Sequence, residues 1–170
     1  MVDREKSQSD HLDGNMMFLT KWLRHHRSGE VQEFNDRIEI QHDSGEYSTL
    51  FKNNSNSCFE ELDSLGDIYT KYDGADLFSS TFKISSCFSD KYVNDVALIE
   101  SISNLLEYST SVDATFPEEV IPFMYQAGIG IYALGLESKL IYEWDTEEKM
   151  ITGNYESLEE IFLEWLSAIE

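Results

Sequence analysis

The sequence predicts an α+β fold: a mostly antiparallel sheet packed by amphipathic helices, in a single domain with an N-terminal extension. Three observations lead there. Residues 130–136, 140–144 and 149–152 are short strand patterns separated by polar turns, so each strand folds back on the one before it. Leu158, Ile161, Phe162, Trp165, Leu166 and Ile169 recur at the three-and-four spacing of one helix face. The chain has 170 residues, 41% of them hydrophobic, enough for one core.

Taken in order, residues 1–14 are polar and charged, without a structural pattern. Residues 15–27 read as a helix with Met16, Leu19, Trp22, Leu23 and His26 on one side, stopped by Ser28-Gly29. Residues 37–42 alternate as a strand, Asp43-Ser44-Gly45 is a turn signal, and residues 47–51 pair back. Residues 52–57 form a polar loop. Ser57 with Glu60 makes a capping box for a second helix, whose buried face holds Cys58, Leu62, Leu65, Tyr69 and Tyr72 and whose end falls at Gly74. Residues 81–84 are a strand candidate, and residues 94–108 read as a third helix through Leu98, Ile102, Leu105 and Leu106, followed by a linker at 110–115.

Residues 130–136 are apolar on both faces, as in a central strand. Glu137-Ser138-Lys139 turns the chain, after which Leu140, Tyr142 and Trp144 face one way and Ile141, Glu143 and Asp145 the other. Gly153-Asn154 ends the third strand, and Ser157 with Glu160 caps the closing helix.

An ordered set of motifs carries a resemblance. Val-Ile-Pro-Phe at 120–123, glycines 128 and 130, Ile-Tyr-Ala-Leu at 131–134, Ile-Tyr-Glu-Trp-Asp at 141–145 and Ser-Leu-Glu-Glu-Ile-Phe-Leu-Glu-Trp-Leu at 157–166 resemble the C-terminal half of the SUKH superfamily. Tyr-Asp-Gly-Ala-Asp-Leu-Phe at 72–78 resembles that family's helix-ending turn. The resemblance covers residues 57–170, so residues 1–56 are expected to be an extension with one helix packed on a SUKH-like domain at 57–170. Bacterial members are mostly immunity proteins of polymorphic toxin systems, and yeast relatives regulate cell-wall glucan synthesis. The resemblance therefore implies a non-enzymatic immunity protein that binds and occludes a cognate toxin domain. The alternative it leaves is an intracellular regulatory adaptor with the same fold.

Charge sharpens the expectation. The net charge is −21, from 33 acidic and 12 basic residues. Residues 1–37 carry a net of −1 and residues 38–170 a net of −20, with no arginine after Arg37. Such a surface repels phosphate backbones and anionic lipid, which argues against nucleic-acid and membrane partners. It attracts a basic protein domain and speeds the encounter. No apolar run approaches a membrane span, and the acidic start is unlike a signal peptide. The expected location is cytoplasmic, with Cys58 and Cys87 as reduced thiols.

Phosphate-loop, dinucleotide and nucleophile-elbow motifs are absent from the sequence, and no catalytic residue, cofactor, metal site or small-molecule substrate is assigned. Gly128-Ile129-Gly130 is turn chemistry, and His25-His26 point about 100° apart on a helix. The candidate partner-binding residues are acidic: Glu143, Asp145, Glu147 and Glu148 on one hairpin, with Asp73 and Asp76 flanking Gly74-Ala75. Their ordinary reading is a solvated rim and turn solvation. A hydrolase built on a carboxylate pair is a third class, and it would need two carboxylates converging in a cleft.

Overall fold

The computed structural model describes residues 23, 28–53, 58–112 and 115–169. The helix expected at 15–27 lies outside them except for Leu23, which is helical and wholly buried in the main core. The polar stretch at 1–14, Ser57 and the histidines at 11, 25 and 26 lie outside them too.

The chain opens with strands β1 (Gly29–Glu33), β2 (Arg37–His42) and β3 (Tyr47–Lys52), joined antiparallel. Ile40 and Leu50 alternate inward from them into the core. His42 is buried against Phe78 and hydrogen-bonded to Ser48 at 2.7 Å.

The helix expected from residue 57 is instead a 3₁₀ turn (Glu60–Leu65), broken at Gly66, followed by the four-residue α1 (Asp67–Thr70). Gly66 has φ 79°, a left-handed conformation that interrupts a helix. Leu62, Leu65 and Tyr69 are nonetheless buried as their spacing predicts. Tyr72 and Gly74 belong to strand β4 (Tyr72–Leu77), which pairs with β3. Gly74 is not a helix end. It has φ 84°, and a side chain there would press on the Ile84 carbonyl at 2.6 Å.

Strand β5 (Phe82–Ile84) follows, then a small hairpin of β6 (Lys91–Val93) and β7 (Val96–Ile99) where the start of a helix was expected. Asn94 and Asp95 both have positive φ, 51° and 64°, as in the two-residue turn that matches strand twist. Helix α2 (Ile102–Val112) begins only afterwards.

Strands β8 (Val120–Gln126), β9 (Gly130–Gly135), β10 (Ile141–Asp145) and β11 (Met150–Tyr155) form the meander, and α3 (Leu158–Ile169) closes it. Strand β11 runs through Gly153 and Asn154 rather than stopping before them. Glu143 pairs with Gly153 and Trp144 with Ile151, so Thr152 is an extra residue in a bulge. The large sheet has the order β1-β2-β3-β4-β5-β8-β9-β10-β11, and its pairings are antiparallel. The fold is α+β in one domain, and residues 29–52 supply three strands of that one sheet.

All six positions of β9 are buried, and its alternation divides the core. Tyr132 and Leu134 join Phe82, Phe123, Ile141 and the α3 residues Leu158, Ile161, Phe162 and Leu166. Ile131 and Ala133 join Trp144, Phe116 and Leu105 on the other face. The cap of α3 forms as expected: Ser157 Oγ accepts the Glu160 N–H at 3.4 Å, and Glu160 reaches back to the Glu156 N–H at 2.8 Å. Ile169 departs from the stripe and is 48% exposed.

The expectation of two reduced thiols is corrected. Cys58 and Cys87 form a disulfide, with Cα atoms 5.7 Å apart across 29 positions of sequence, within bridging range. Distance along the chain concealed the pair. The Asp73 carboxylate accepts the Cys87 N–H at 2.8 Å and pairs with Lys91 at 3.0 Å, which draws the loop after β5 back toward the start of β4.

Candidate functional site

The meander and α3 border an open cleft of ≈ 420 Å³ whose walls include Gln126, Tyr132, Glu143, Tyr155, Glu164 and Trp165. Its construction follows from the alternation of the strands. Glu143 on β10 stands opposite Tyr132 on β9, on the face that α3 covers. The bulge at Thr152 turns that hydroxyl onto Glu143 Oε1 at 2.7 Å. Tyr155, at the end of β11, donates toward Glu143 Oε2 at 3.2 Å and also serves Glu164 of α3. Tyr132 lies 2.6 Å from Gln126 Oε1 and 3.1 Å from Glu143 Oε2. Trp165 lines the cleft too, stacked on Phe78 with ring centroids 4.5 Å apart and edge-on to Phe82 at 5.6 Å.

Electrostatics keep both tyrosines protonated. Burial pushes the Tyr132 hydroxyl well above its usual range, and the negative charge of Glu143 pushes it further. Burial also raises Tyr155, with its hydrogen bond to Glu164 and the charge of Glu143 adding to the effect. Each hydroxyl has one proton and two acceptors, so the cleft holds more acceptor atoms than these tyrosines can satisfy. None of the residues lining it carries a positive charge.

The six acidic candidates do not form one site. Glu143 is half-buried inside the cleft rather than on a solvated rim. Asp145 folds its own turn by accepting the Glu147 and Glu148 N–H groups at 2.8 and 2.9 Å. Glu147 and Glu148 are exposed on that turn. Asp73 is committed to Lys91 and the Cys87 backbone. Asp76 is only 4% exposed and accepts both the N–H and the hydroxyl of Ser80, at 2.9 and 2.7 Å. Burial raises its carboxyl above the usual range, against the lowering effect of Ser80. Four strand spacings separate β4 from β10 in the sheet, roughly 19 Å.

Sequence reading missed Gln126, Tyr132, Tyr155 and Glu164. A signal for Glu164 was present: Ile161, Glu164, Trp165 and Ala168 share the i, i+3, i+4, i+7 spacing of one helix edge, which sets a carboxylate at the margin of the apolar stripe. Among the described residues no group of three or more His, Cys, Asp or Glu side chains is placed to hold a metal ion, and no helix is long and apolar enough to cross a membrane. No family model, curated protein or solved structure matches the chain.

Proposed function

We propose that the protein is a non-enzymatic immunity protein that binds a cognate toxin domain of basic charge and occludes its working surface, within the SUKH-like resemblance of residues 57–170. The observation that carries the reading is the net charge of −20 over residues 38–170. A toxin that acts on nucleic acid needs a basic cleft, and a strongly acidic inhibitor complements it. Exposed Glu147 and Glu148 suit long-range steering, since charges at a solvated surface set the association rate more than the final affinity. The partners under this reading are protein, without nucleic acid, membrane or small-molecule substrate.

A cytoplasmic location belongs to the same reading, and the Cys58–Cys87 bridge pulls against it, because thiol pools reduce accessible disulfides there. A carboxylate-pair hydrolase is the second reading that a specific feature favours: Glu143 and Glu164 line one cleft and share Tyr155. It is the weaker one, because Glu164 is exposed to water, whereas a general acid works from an enclosed position.

The test is to identify the toxin whose gene neighbours that of this chain and to measure association of the chain with that toxin's C-terminal domain at low and high salt. The expected result is fast association that slows steeply as salt screens the charges, together with loss of the toxin's activity on mixing. A neighbouring toxin with an acidic binding face, or association indifferent to salt, would overturn the reading.

A further inference from the structure

We infer that the cleft between the meander and α3 is a receptor for a single arginine side chain presented by a protein partner. The inference rests on the reading of the chain as a protein-binding module and assigns the docking point within it.

Three features of the cleft converge on a guanidinium. The first is its hydrogen-bond balance. Glu143 Oε1 is served by Thr152, but Glu143 Oε2, Gln126 Oε1 and Glu164 share the protons of Tyr132 and Tyr155. The side chains facing the space thus present carboxylate and amide oxygens to an incoming group, and guanidinium brings five donors and no acceptor to meet them. The second is charge. Two carboxylates face the space, and no lysine, arginine or histidine lines it. The third is shape. The walls include Tyr132, Tyr155 and Trp165, and aromatic rings favour a planar, weakly hydrated cation over a compact ammonium. The volume of ≈ 420 Å³ is at the small end of ligand pockets, suited to one long side chain with accompanying water.

The pocket is also held in place. Trp165 is stacked on Phe78, and Tyr132 stands on the wholly buried strand β9. The bulge at Thr152 keeps Glu143 aimed inward. A pre-ordered receptor spends little affinity on rearrangement.

The probes are acetyl-arginine amide, acetyl-lysine amide and acetyl-citrulline amide. Citrulline has the shape of arginine without its charge. Each is titrated into the full chain while the Trp165 indole N–H is followed by NMR. The expected result is a saturable shift with arginine, a weaker one with lysine, and binding of citrulline reduced at least about tenfold, the scale of a lost charge-assisted hydrogen bond. Glu143→Gln with Glu164→Gln should weaken arginine by a similar factor, while the charge-matched Glu118→Gln with Glu119→Gln, exposed just before β8 at the end away from Gln126, leaves the titration unchanged. Equal binding of citrulline and arginine by the wild type would overturn the inference whatever the variants do, as would lysine binding more tightly than arginine. A basic toxin that associates with normal salt dependence but is indifferent to the Glu143/Glu164 double substitution would sink the arginine receptor and leave the immunity reading standing. Saturable arginine binding in a chain that meets no basic protein would support the receptor and remove the immunity reading.

Discussion

The C-terminal meander and the stretch from Cys58 to Val112 are built on opposite plans. In the meander, β8 to β11 are neighbours in both sequence and space, so each strand finds its partner across a short turn. Apart from the longer β4 and α2, the middle stretch is made of short elements: a 3₁₀ turn and a four-residue helix before β4, and a hairpin of strands with three and four residues before α2. It is held by a disulfide, by Asp73 reaching Lys91 and the Cys87 backbone, and by β4 and β5 docking into the large sheet. Local pairing makes the first region self-consistent, and long-range ties make the second dependent on its cross-links.

The largest expected effect tests the meander. Phe162 is wholly buried, with its ring edge-on to Phe82 at 4.9 Å. Phe162→Ala should lower stability by roughly 3–5 kcal/mol, read as a fall in the urea midpoint. A midpoint within error of wild type would show that α3 is not the element that closes the sheet.

The next effect tests the middle stretch. Opening the Cys58–Cys87 bridge releases a loop spanning 29 positions and should cost about 3–4 kcal/mol. Hydrogen exchange after reduction should rise in α1, β6 and β7, while β9 and β10 stay protected. Uniform loosening of both regions would erase the contrast between them.

The smallest effect is pH dependence. Burial raises the carboxyls of Asp67 and Asp76 above their usual range. One oxygen of Asp67 is also buried with no hydrogen-bond partner. A group whose folded value is raised contributes stability that is complete below its unfolded value, near ~4, and is lost as pH rises through the folded value. Mild acidification from neutrality toward that unfolded value should therefore raise the urea midpoint. Relief of mutual repulsion in a chain of net charge −21 acts in the same direction. Asp67→Asn with Asp76→Asn should flatten the part of the gain that comes from these two groups. A midpoint that falls on mild acidification would contradict the assignment.

The contrast between the two regions also explains what could be read from sequence. The meander and α3 were legible because their signals are local: the apolar periodicity of 158–166, the Ser157–Glu160 cap and the alternation in 140–145. In the middle stretch local signals competed. Leu98 and Ile102 have helical spacing, but Asn94-Asp95 adopts the paired positive φ of a hairpin turn and moves the helix start to Ile102. Gly74 resembled a helix end because left-handed glycine serves both a helix terminus and a close strand crossing.

By itself the sequence determined the fold class, the last three strands of the meander with their closing helix, and the acidic character of the surface beyond residue 37, because these depend on periodicity and composition. Only the tertiary structure decided which carboxylates share a place. Glu143 and Glu164 line one cleft because the meander and α3 border it together, and their common partner Tyr155 ends a strand whose bulge no periodicity records. Asp145, Asp73 and Asp76 are taken up by turn, loop and core. Cys58 finds Cys87 for the same reason: contacts between distant segments follow from how the sheet is packed, and spacing along the chain carries no record of that packing.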